Sequence, residues 1–172
     1  FAVADSGHSV RRLARSPKRA QGVSRRKTGR MLQKIRTDLR VGIELAMDED
    51  IEKLITISTD KAANPANVMG ATKLLAERLT ISASYYKGAR KAAFSCVRFG
   101  NVLYSRGSAV PLFRKQIEQG GPVTVTDYDM TRFVMSITKA VELVLKAAEI
   151  TQGGEIFIFK MPALRIGDLA EV

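Results

Sequence analysis

The sequence is poor in residues that would indicate several classes of protein. It has one cysteine, one histidine and no tryptophan in 172 residues. A single cysteine excludes a disulfide scaffold, and a lone His8 without cysteine companions gives no metal site. No apolar run approaches the roughly 20 residues that a membrane-spanning helix needs. We therefore expect a cytoplasmic globular protein without a membrane segment, in which Cys96 is a reduced and buried thiol.

The formal net charge of +11 is concentrated near the amino terminus. Residues 1–40 contain 12 Lys and Arg against 2 Asp and Glu, whereas residues 41–172 contain 16 against 15. The run Ser24–Arg30 would attract phosphate, but no aromatic residues interleave with it and no nucleic-acid module is recognisable. Nucleic acid is therefore not the expected partner. A non-catalytic binding fragment, whose basic first 40 residues contact nucleic acid or an acidic surface, remains an alternative.

From residue 41 onward the chain alternates strand-like and helix-like segments. Short β-branched or apolar runs predict strands at 54–58, 93–99, 123–125 and 155–159. Helical spacing predicts helices at 69–86, 109–119 and 137–150, and another beginning near residue 166. Alternation of this kind indicates an α/β fold with a parallel sheet.

Three segments are expected along the chain. Residues 1–40 form a basic remnant of a dinucleotide-binding half, 41–105 carry the catalytic motifs, and 106–172 bind substrate and interleave with the sheet. In the first segment, a strand over Ser9–Ala14 would end at Arg15. An Arg after the second strand of a dinucleotide-binding fold can receive the 2′-phosphate of NADP. A basic surface strand explains the same residues equally well.

The most informative group is Thr59-Asp60-Lys61, which directly follows a predicted parallel strand. Ligands of open α/β sheets bind at the carboxyl ends of the strands. An adjacent carboxylic acid and amine supply an acid and a base a few ångström apart. Alternatively, Asp60 caps a turn and Lys61 is merely solvated.

Several motifs occur together in one order. They are Ile57-Ser-Thr-Asp-Lys-Ala62, Asn64-Pro65, Asn67-Val-Met-Gly-Ala-Thr-Lys73, Val97-Arg-Phe-Gly-Asn-Val-Leu103, Ser105-Arg-Gly-Ser108, Pro111-Leu-Phe113, Gly121-Pro-Val-Thr-Val-Thr-Asp127 and Met130-Thr-Arg-Phe133. Over residues 43–172 this order resembles the extended short-chain dehydrogenase/reductase superfamily, and within it the UDP-N-acetylglucosamine 4,6-dehydratases of the CapD-like polysaccharide-biosynthesis family. The resemblance implies an incomplete Rossmann-like fold, NAD or NADP as cofactor, a UDP-sugar substrate and a homo-oligomer.

One position departs from the superfamily pattern. Most members have a Tyr-x-x-x-Lys pair, and here the spacing survives as Met69-x-x-x-Lys73. A thioether cannot transfer a proton, which leaves open the group that accepts the hydroxyl proton at sugar C4. Met at this place is similar to the longer, membrane-anchored branch of the dehydratase family, so the departure indicates a sub-branch.

The resemblance also implies a reaction and residue roles. Hydride leaves sugar C4 for the nicotinamide, water is lost across C5 and C6, and the hydride returns at C6. Lys61 would take the C5 proton, Asp60 would protonate the departing C6 hydroxyl, and Thr59 would bind the C4 oxygen. The implied cofactor-binding residues are Ser58, Lys73 and Arg98, with Arg15 added by the strand argument. The implied substrate-binding residues are Asn101, Arg106, Ser108 and Arg132.

A complete enzyme of this superfamily needs a glycine-rich loop, on whose backbone N–H groups the dinucleotide pyrophosphate rests. The sequence contains no Gly-x-Gly-x-x-Gly or Gly-x-x-Gly-x-x-Gly. We therefore expect little or no turnover from this chain in isolation. A related epimerase or reductase is a second alternative, and the Asp60–Lys61 pair disfavours it.

Overall fold

The computed structural model describes residues 10–12, 25–105 and 108–171. The strands are β1 (Val10–Arg12), β2 (Lys53–Thr59), β3 (Ala93–Phe99), β4 (Asn101–Val102), β5 (Val123–Val125), β6 (Thr131–Met135), β7 (Ile156–Ile158) and β8 (Ala163–Arg165). The helices are α1 (Arg25–Asp48), α2 (Val68–Tyr86), α3 (Ala109–Glu118), α4 (Ile137–Ile150) and α5 (Ile166–Glu171). A 3₁₀ turn, Asp60–Ala62, separates β2 from α2.

The chain folds into two units that alternate along the sequence. The parallel unit consists of residues 20–99 and 140–159, and the mixed unit consists of residues 1–19, 100–139 and 160–172. The sequence predicted consecutive segments, with interleaving only after residue 105. Residues that are far apart in the chain, such as those of 20–99 and 140–159, therefore lie in the same unit.

The parallel unit is built on a sheet in the order β2-β3-β7, with every pair parallel. Lys53 pairs with Ala93 and Thr59 with Phe99, so β2 and β3 end together at their carboxyl ends. On one face of the sheet, α1 and α2 pack around the fully buried Phe94. The side chains of Ile43, Ala46, Met47 and Ala83 complete this core.

The opposite face of the sheet is joined to α4. Ser95 follows Phe94 along β3, so its side chain points to the other face, where it bonds to Thr151 just after α4. The amine of Lys53 donates to the carbonyl oxygens of Ala148 and Glu149 at 2.6 and 3.2 Å. The result is a three-layer arrangement of helix, parallel sheet and helix.

A two-glycine turn joins α4 to β7. Gly153 and Gly154 have φ angles of +99° and +92°, which side-chain-bearing residues rarely adopt. The carboxylate of Glu155 accepts bonds from Ser95, Thr151 and the backbone N–H groups of residues 152 and 153. Burial opposes ionisation of this carboxyl, but these donors outweigh burial and lower its pKa to about 2.

The mixed unit contains short strands. β6 pairs in parallel with β4 and antiparallel with β8, while β1 pairs in parallel with β5. Phe113 of α3 packs with Val123 and Val125, and Tyr128 and Ile166 lie against this cluster. None of the helices in the described ranges has the length and apolarity needed to cross a membrane.

The α/β fold with a parallel sheet is confirmed, and the elements predicted from residue 54 onward are present within one or two residues of their expected bounds. Two features differ from expectation. The predicted strand at 9–14 is described as Val10–Arg12 and pairs with β5. The 24-residue helix α1, for which the sequence analysis predicted no element, occupies Arg25–Asp48.

Candidate active site

The carboxyl end of β2 is shaped by a single residue, Thr59. Its backbone is extended, with φ of −145° and ψ of 155°, and the 3₁₀ turn begins at the next residue. Its Oγ1 accepts a long bond of 3.5 Å from the backbone N–H of Lys61, so Thr59 caps the turn. The turn brings the side chains of Asp60 and Lys61 together at the edge of the sheet where ligands of parallel sheets bind.

Asp60 is the centre of this group. Its Oδ1 accepts a bond of 2.9 Å from the Lys61 amine and one of 2.8 Å from the Thr59 hydroxyl. Burial opposes ionisation of Asp60, but the bonds from Lys61 and Thr59 and the charge of Lys61 outweigh it, and its pKa lies below the ordinary value. The side chains of Asp60 and Lys61 are 22% and 33% exposed, so the pair is open to solvent.

The start of α2 is held tightly against the turn. Asn67 caps the helix by accepting a 2.9 Å bond from the backbone N–H of Gly70. A Cβ placed on Gly70 would lie 2.6 Å from the carbonyl oxygen of Lys61 and 3.1 Å from Pro65. Only glycine permits this approach, which fixes the first turn of α2 relative to Lys61.

Met69 and Lys73 lie on this first part of α2. The Met69 side chain is 48% exposed. The Lys73 amine donates to the carbonyl oxygen of Ile57 at 2.9 Å. Lys73 is thus fixed beside the end of β2, with two of its three N–H donors not used in that bond.

Glu77 is a residue of the site region that sequence reasoning missed. It is 1% exposed and forms a two-pronged ion pair with Arg98, with N···O distances of 2.8 and 2.7 Å. The Ser58 hydroxyl donates to the same carboxylate at 2.6 Å. Burial opposes ionisation of Glu77, but the bonds from Arg98 and Ser58 and the charge of Arg98 hold its pKa below the ordinary value.

The sequence did contain a signal for Glu77. The residue lies on the buried face of α2, where its neighbours are small, and a charged residue on such a face needs a partner. The other residues on that face are Gly70, Thr72, Ala76, Thr80 and Ala83. The partners of Glu77 are Ser58 and Arg98. The cofactor-binding role inferred for these two residues stays a prediction.

Three of the predicted substrate residues lie in described parts of the mixed unit. Asn101 on β4 pairs with Val134, and Arg132 precedes Val134 by two residues on β6, so both side chains lie on the same face of adjacent strands. Ser108 is the N-cap of α3, and its buried Oγ has no hydrogen-bond partner among the described residues. Arg106 and Arg15 lie outside the described residues.

The chain's family is established by a match over most of its length. Residues 33–172 match the model of a family described as polysaccharide biosynthesis protein. The chain belongs to that family. The match begins ten residues before the resemblance inferred from the motifs, and it includes the last two thirds of α1.

Two curated relatives show how much of a family member this chain represents. It is 72% identical over 130 residues to an uncharacterized membrane protein of Methanocaldococcus jannaschii, covering 76% of this chain and 39% of that protein. It is 45% identical over 129 residues to an inverting UDP-N-acetylglucosamine 4,6-dehydratase of Campylobacter jejuni, covering 74% of this chain and 39% of the enzyme. The chain thus spans about two fifths of the length of these relatives.

A solved structure identifies the architecture. The dTDP-glucose 4,6-dehydratase DesIV of Streptomyces venezuelae superposes with a TM-score of 0.74 at 15% identity, covering 84% of this chain and 50% of DesIV. At this identity the likeness concerns the fold alone. The chain therefore has part of the Rossmann-like fold of that enzyme.

Proposed function

We propose that this chain carries the dehydration site of an NAD(P)-dependent nucleotide-sugar 4,6-dehydratase that acts on UDP-N-acetylglucosamine in polysaccharide biosynthesis. The observation that carries the proposal is the 2.9 Å contact between the Asp60 carboxylate and the Lys61 amine at the carboxyl end of β2. Loss of water across a carbon–carbon bond needs one group that removes a proton and another that supplies one. The name of the Campylobacter relative supports the choice of sugar.

The cofactor fits this site in part. When bound, NAD(P) would take the hydride from sugar C4 and return it at C6. Lys73, fixed at the carbonyl of Ile57, would hold the nicotinamide ribose with its remaining N–H donors. The sequence contributes no glycine-rich loop for the pyrophosphate, so these residues account for one end of the cofactor only.

Thr59 supplies a route for the proton that Met69 cannot accept. Its hydroxyl already donates to Asp60 at 2.8 Å, so a proton from the C4 hydroxyl can pass through Thr59 to the Asp60 carboxylate. Asp60 then becomes a neutral carboxylic acid, the form that it needs for the next step. The same transfer removes the negative charge that favours the ammonium form of Lys61, which then releases a proton to water.

Elimination follows from these protonation states. The C4 ketone acidifies the C5 proton, the Lys61 amine removes it, and the electron pair of the C5–H bond forms the C5–C6 double bond. The C6–O bond breaks, and Asp60 gives its proton to the departing hydroxyl, which leaves as water. Lys61 later returns a proton to C5 and then regains from water the proton that it released, so each of the two groups ends the cycle in its starting form.

Two features of the mixed unit support a diphosphate as the other part of the substrate. The backbone N–H groups in the first turn of α3 have no partners within the helix, and a helix amino terminus favours anions. The buried Oγ of Ser108 lies at the same terminus without a partner among the described residues. We assign Ser108, together with Asn101, Arg106 and Arg132, to recognition of the UDP moiety.

The proton-abstraction step can be tested without cofactor. We would offer the chain UDP-linked 4-keto-6-deoxy-N-acetylhexosamine in heavy water and follow deuterium incorporation at C5 by NMR. Exchange clearly faster than in buffer is expected for the wild type, because the ketone is already present and Lys61 alone must act as base. Lys61→Ala should reduce exchange to the buffer rate.

The matched control is Lys91→Ala, which removes an exposed lysine outside the site and should exchange like the wild type. Asp60→Asn should keep part of the exchange, because no C6 hydroxyl departs in this partial reaction. A wild-type rate equal to that of buffer, from a folded chain that binds the nucleotide sugar, would refute the proposal. Equal exchange in the wild type and Lys61→Ala would assign the base to another residue.

A further inference from the structure

Tyr104 lies in a tight turn between β4 and the N-cap of α3. The backbone N–H of Ser105 donates to the carbonyl oxygen of Val102 at 3.3 Å, a bond between residues three apart that is typical of a β-turn. The N–H of Ser108 in turn donates to the carbonyl oxygen of Ser105 at 3.0 Å. Tyr104 is therefore the direct neighbour of a residue that is bonded to the N-cap of α3.

The backbone of Tyr104 is strained. Its φ angle is +61°, in the left-handed region, and it occupies the third position of the turn over residues 102–105. Turns with a positive φ at this position usually have glycine or asparagine there, because a Cβ crowds the neighbouring carbonyl oxygen. Strain of this kind clusters at sites that bind ligands. The tyrosine side chain is therefore a candidate for a function that glycine could not perform.

The side chain of Tyr104 is open to a ligand. The residue is 69% exposed, and no hydrogen bond joins its hydroxyl group to another residue in the described ranges. An aromatic ring presents two apolar faces, which stack on other flat rings and are removed from water when they do so. The nucleobase of a nucleotide is a flat ring of this kind.

The groups next to this turn suit the phosphates of the same ligand. The buried Oγ of Ser108 has no partner among the described residues, and the first N–H groups of α3 favour an anion. In a nucleotide only the ribose separates the base from the phosphates. Phosphates at the start of α3 would therefore bring the base within reach of Tyr104.

We propose that the Tyr104 ring stacks on the nucleobase of the nucleotide sugar. The inference rests on the proposed function, because it assumes that Ser108 and the start of α3 bind the diphosphate. Every nucleobase has a π face, so stacking adds affinity without selecting one base. Tyr104 would thus favour any nucleoside diphosphate over a diphosphate that has no base, and the choice of base would depend on other residues.

Calorimetric titration of the 172-residue chain tests this proposal. The probes are UDP and inorganic pyrophosphate, which has no base. Tyr104→Gly should raise the Kd for UDP at least about fivefold, the lower end of what a base–aromatic stack contributes, and leave the Kd for pyrophosphate unchanged. The Kd for dTDP should rise by the same factor as that for UDP.

Stability measured on the same variant separates stacking from a structural role. Glycine tolerates a positive φ, so the urea midpoint of Tyr104→Gly should be no lower than that of the wild type. Weaker binding of UDP by a variant that is equally or more stable cannot result from unfolding. Tyr104→Phe keeps the ring and should bind UDP like the wild type.

Two further variants are matched controls. Asp50→Gly relieves a positive φ of 48° at a position outside the mixed unit, and Tyr85→Ala removes a tyrosine on α2 that is 84% exposed. Neither change should alter the Kd for UDP. An equal loss of UDP binding in Tyr85→Ala would assign the stacking to another ring and overturn the proposal.

The outcomes distinguish this inference from the proposed function. Equal Kd values for UDP in the wild type and Tyr104→Gly would overturn stacking alone, since deuterium exchange at sugar C5 tests the chemistry separately. Weaker binding of both UDP and pyrophosphate in Tyr104→Gly would show that Tyr104 shapes the diphosphate site, which also overturns stacking. A folded wild type that binds neither probe would contradict both the stacking and the assigned diphosphate site.

Discussion

Two ion pairs in the parallel unit have similar lengths but opposite surroundings. Glu77 and Arg98 are joined at 2.7 Å with side-chain exposures of 1% and 15%, whereas Asp60 and Lys61 are joined at 2.9 Å with exposures of 22% and 33%. In the first pair both carboxylate oxygens receive donors, and in the second pair the bonds from Lys61 and Thr59 both go to Oδ1. The first pair is closed to further partners, and the second is accessible.

The difference assigns separate tasks to the two pairs. Glu77 connects α2 to the ends of both β2 and β3, because it binds Ser58 on one strand and Arg98 on the other. Thr59 follows Ser58 directly, so the buried pair fixes the strand end from which the exposed pair projects. Stability should therefore depend mainly on Glu77, and chemistry on Asp60 and Lys61.

The largest expected effect follows from removing the buried carboxylate. Glu77→Ala leaves the Arg98 guanidinium and the Ser58 hydroxyl without their acceptor, and loss of one partner from a buried pair costs about 3–5 kcal/mol. Urea denaturation of the chain measures this loss as a lower free energy of unfolding. Glu77→Gln, which keeps an acceptor oxygen, should lose less.

The pH dependence of the same variants provides an independent check. Because folding lowers the pKa of Glu77, its contribution to stability is fully present above the pKa of the unfolded chain, about 4.3. It is lost as the pH falls through the lower pKa of the folded protein. Glu77→Gln should flatten this part of the stability profile, and an unchanged profile would show that Glu77 is not the ionised partner of Arg98.

A smaller effect is expected at Gly70, where the exposed pair meets the helix. Gly70→Ala would place a Cβ 2.6 Å from the Lys61 carbonyl oxygen, and such overpacking costs about 1–3 kcal/mol. Gly42→Ala is the matched control, because Gly42 lies within α1 with nothing within 4 Å of its Cβ position. Alanine there should raise the free energy of unfolding by up to about 1 kcal/mol.

The Gly70 and Gly42 variants also test whether the turn that carries Lys61 must keep its position for the exchange reaction. A Cβ at Gly70 must displace the turn that carries Lys61, so the exchange reaction at sugar C5 should slow in Gly70→Ala. In Gly42→Ala it should not change. Equal changes in the free energy of unfolding of the two variants would mean that the close approach of α2 to the turn does not contribute to stability.

Much of this architecture was predictable from local patterns. The strands β2, β3 and β5 and the helices α2, α3 and α4 follow from apolar runs and helical spacing bounded by glycine and proline. The placement of Asp60 and Lys61 at a strand end followed from the same pattern, since the residues come directly after β2. Such features depend on a few neighbouring residues, which is why sequence alone can reveal them.

The remaining features depend on contacts between distant residues. The helix α1 is rich in charged residues, and its apolar positions, such as Ile43 and Met47, become a recognisable face only when Phe94 is packed against them. Glu77 and Arg98 are 21 residues apart, and their pairing requires that α2 pack against β3.

The smallest expected effect on stability comes from the pair with the largest expected effect on chemistry. Asp60→Asn and Lys61→Ala each break a partly exposed ion pair, and such pairs contribute about 1 kcal/mol or less. Their urea denaturation curves should therefore lie close to that of the wild type, although Lys61→Ala should abolish exchange at C5. Such a result would agree with the proposed function, in which the exposed pair serves chemistry and the buried pair serves stability. A loss in Asp60→Asn as large as that in Glu77→Ala would break the comparison, because Asp60 would then be holding the strand end in place as Glu77 does.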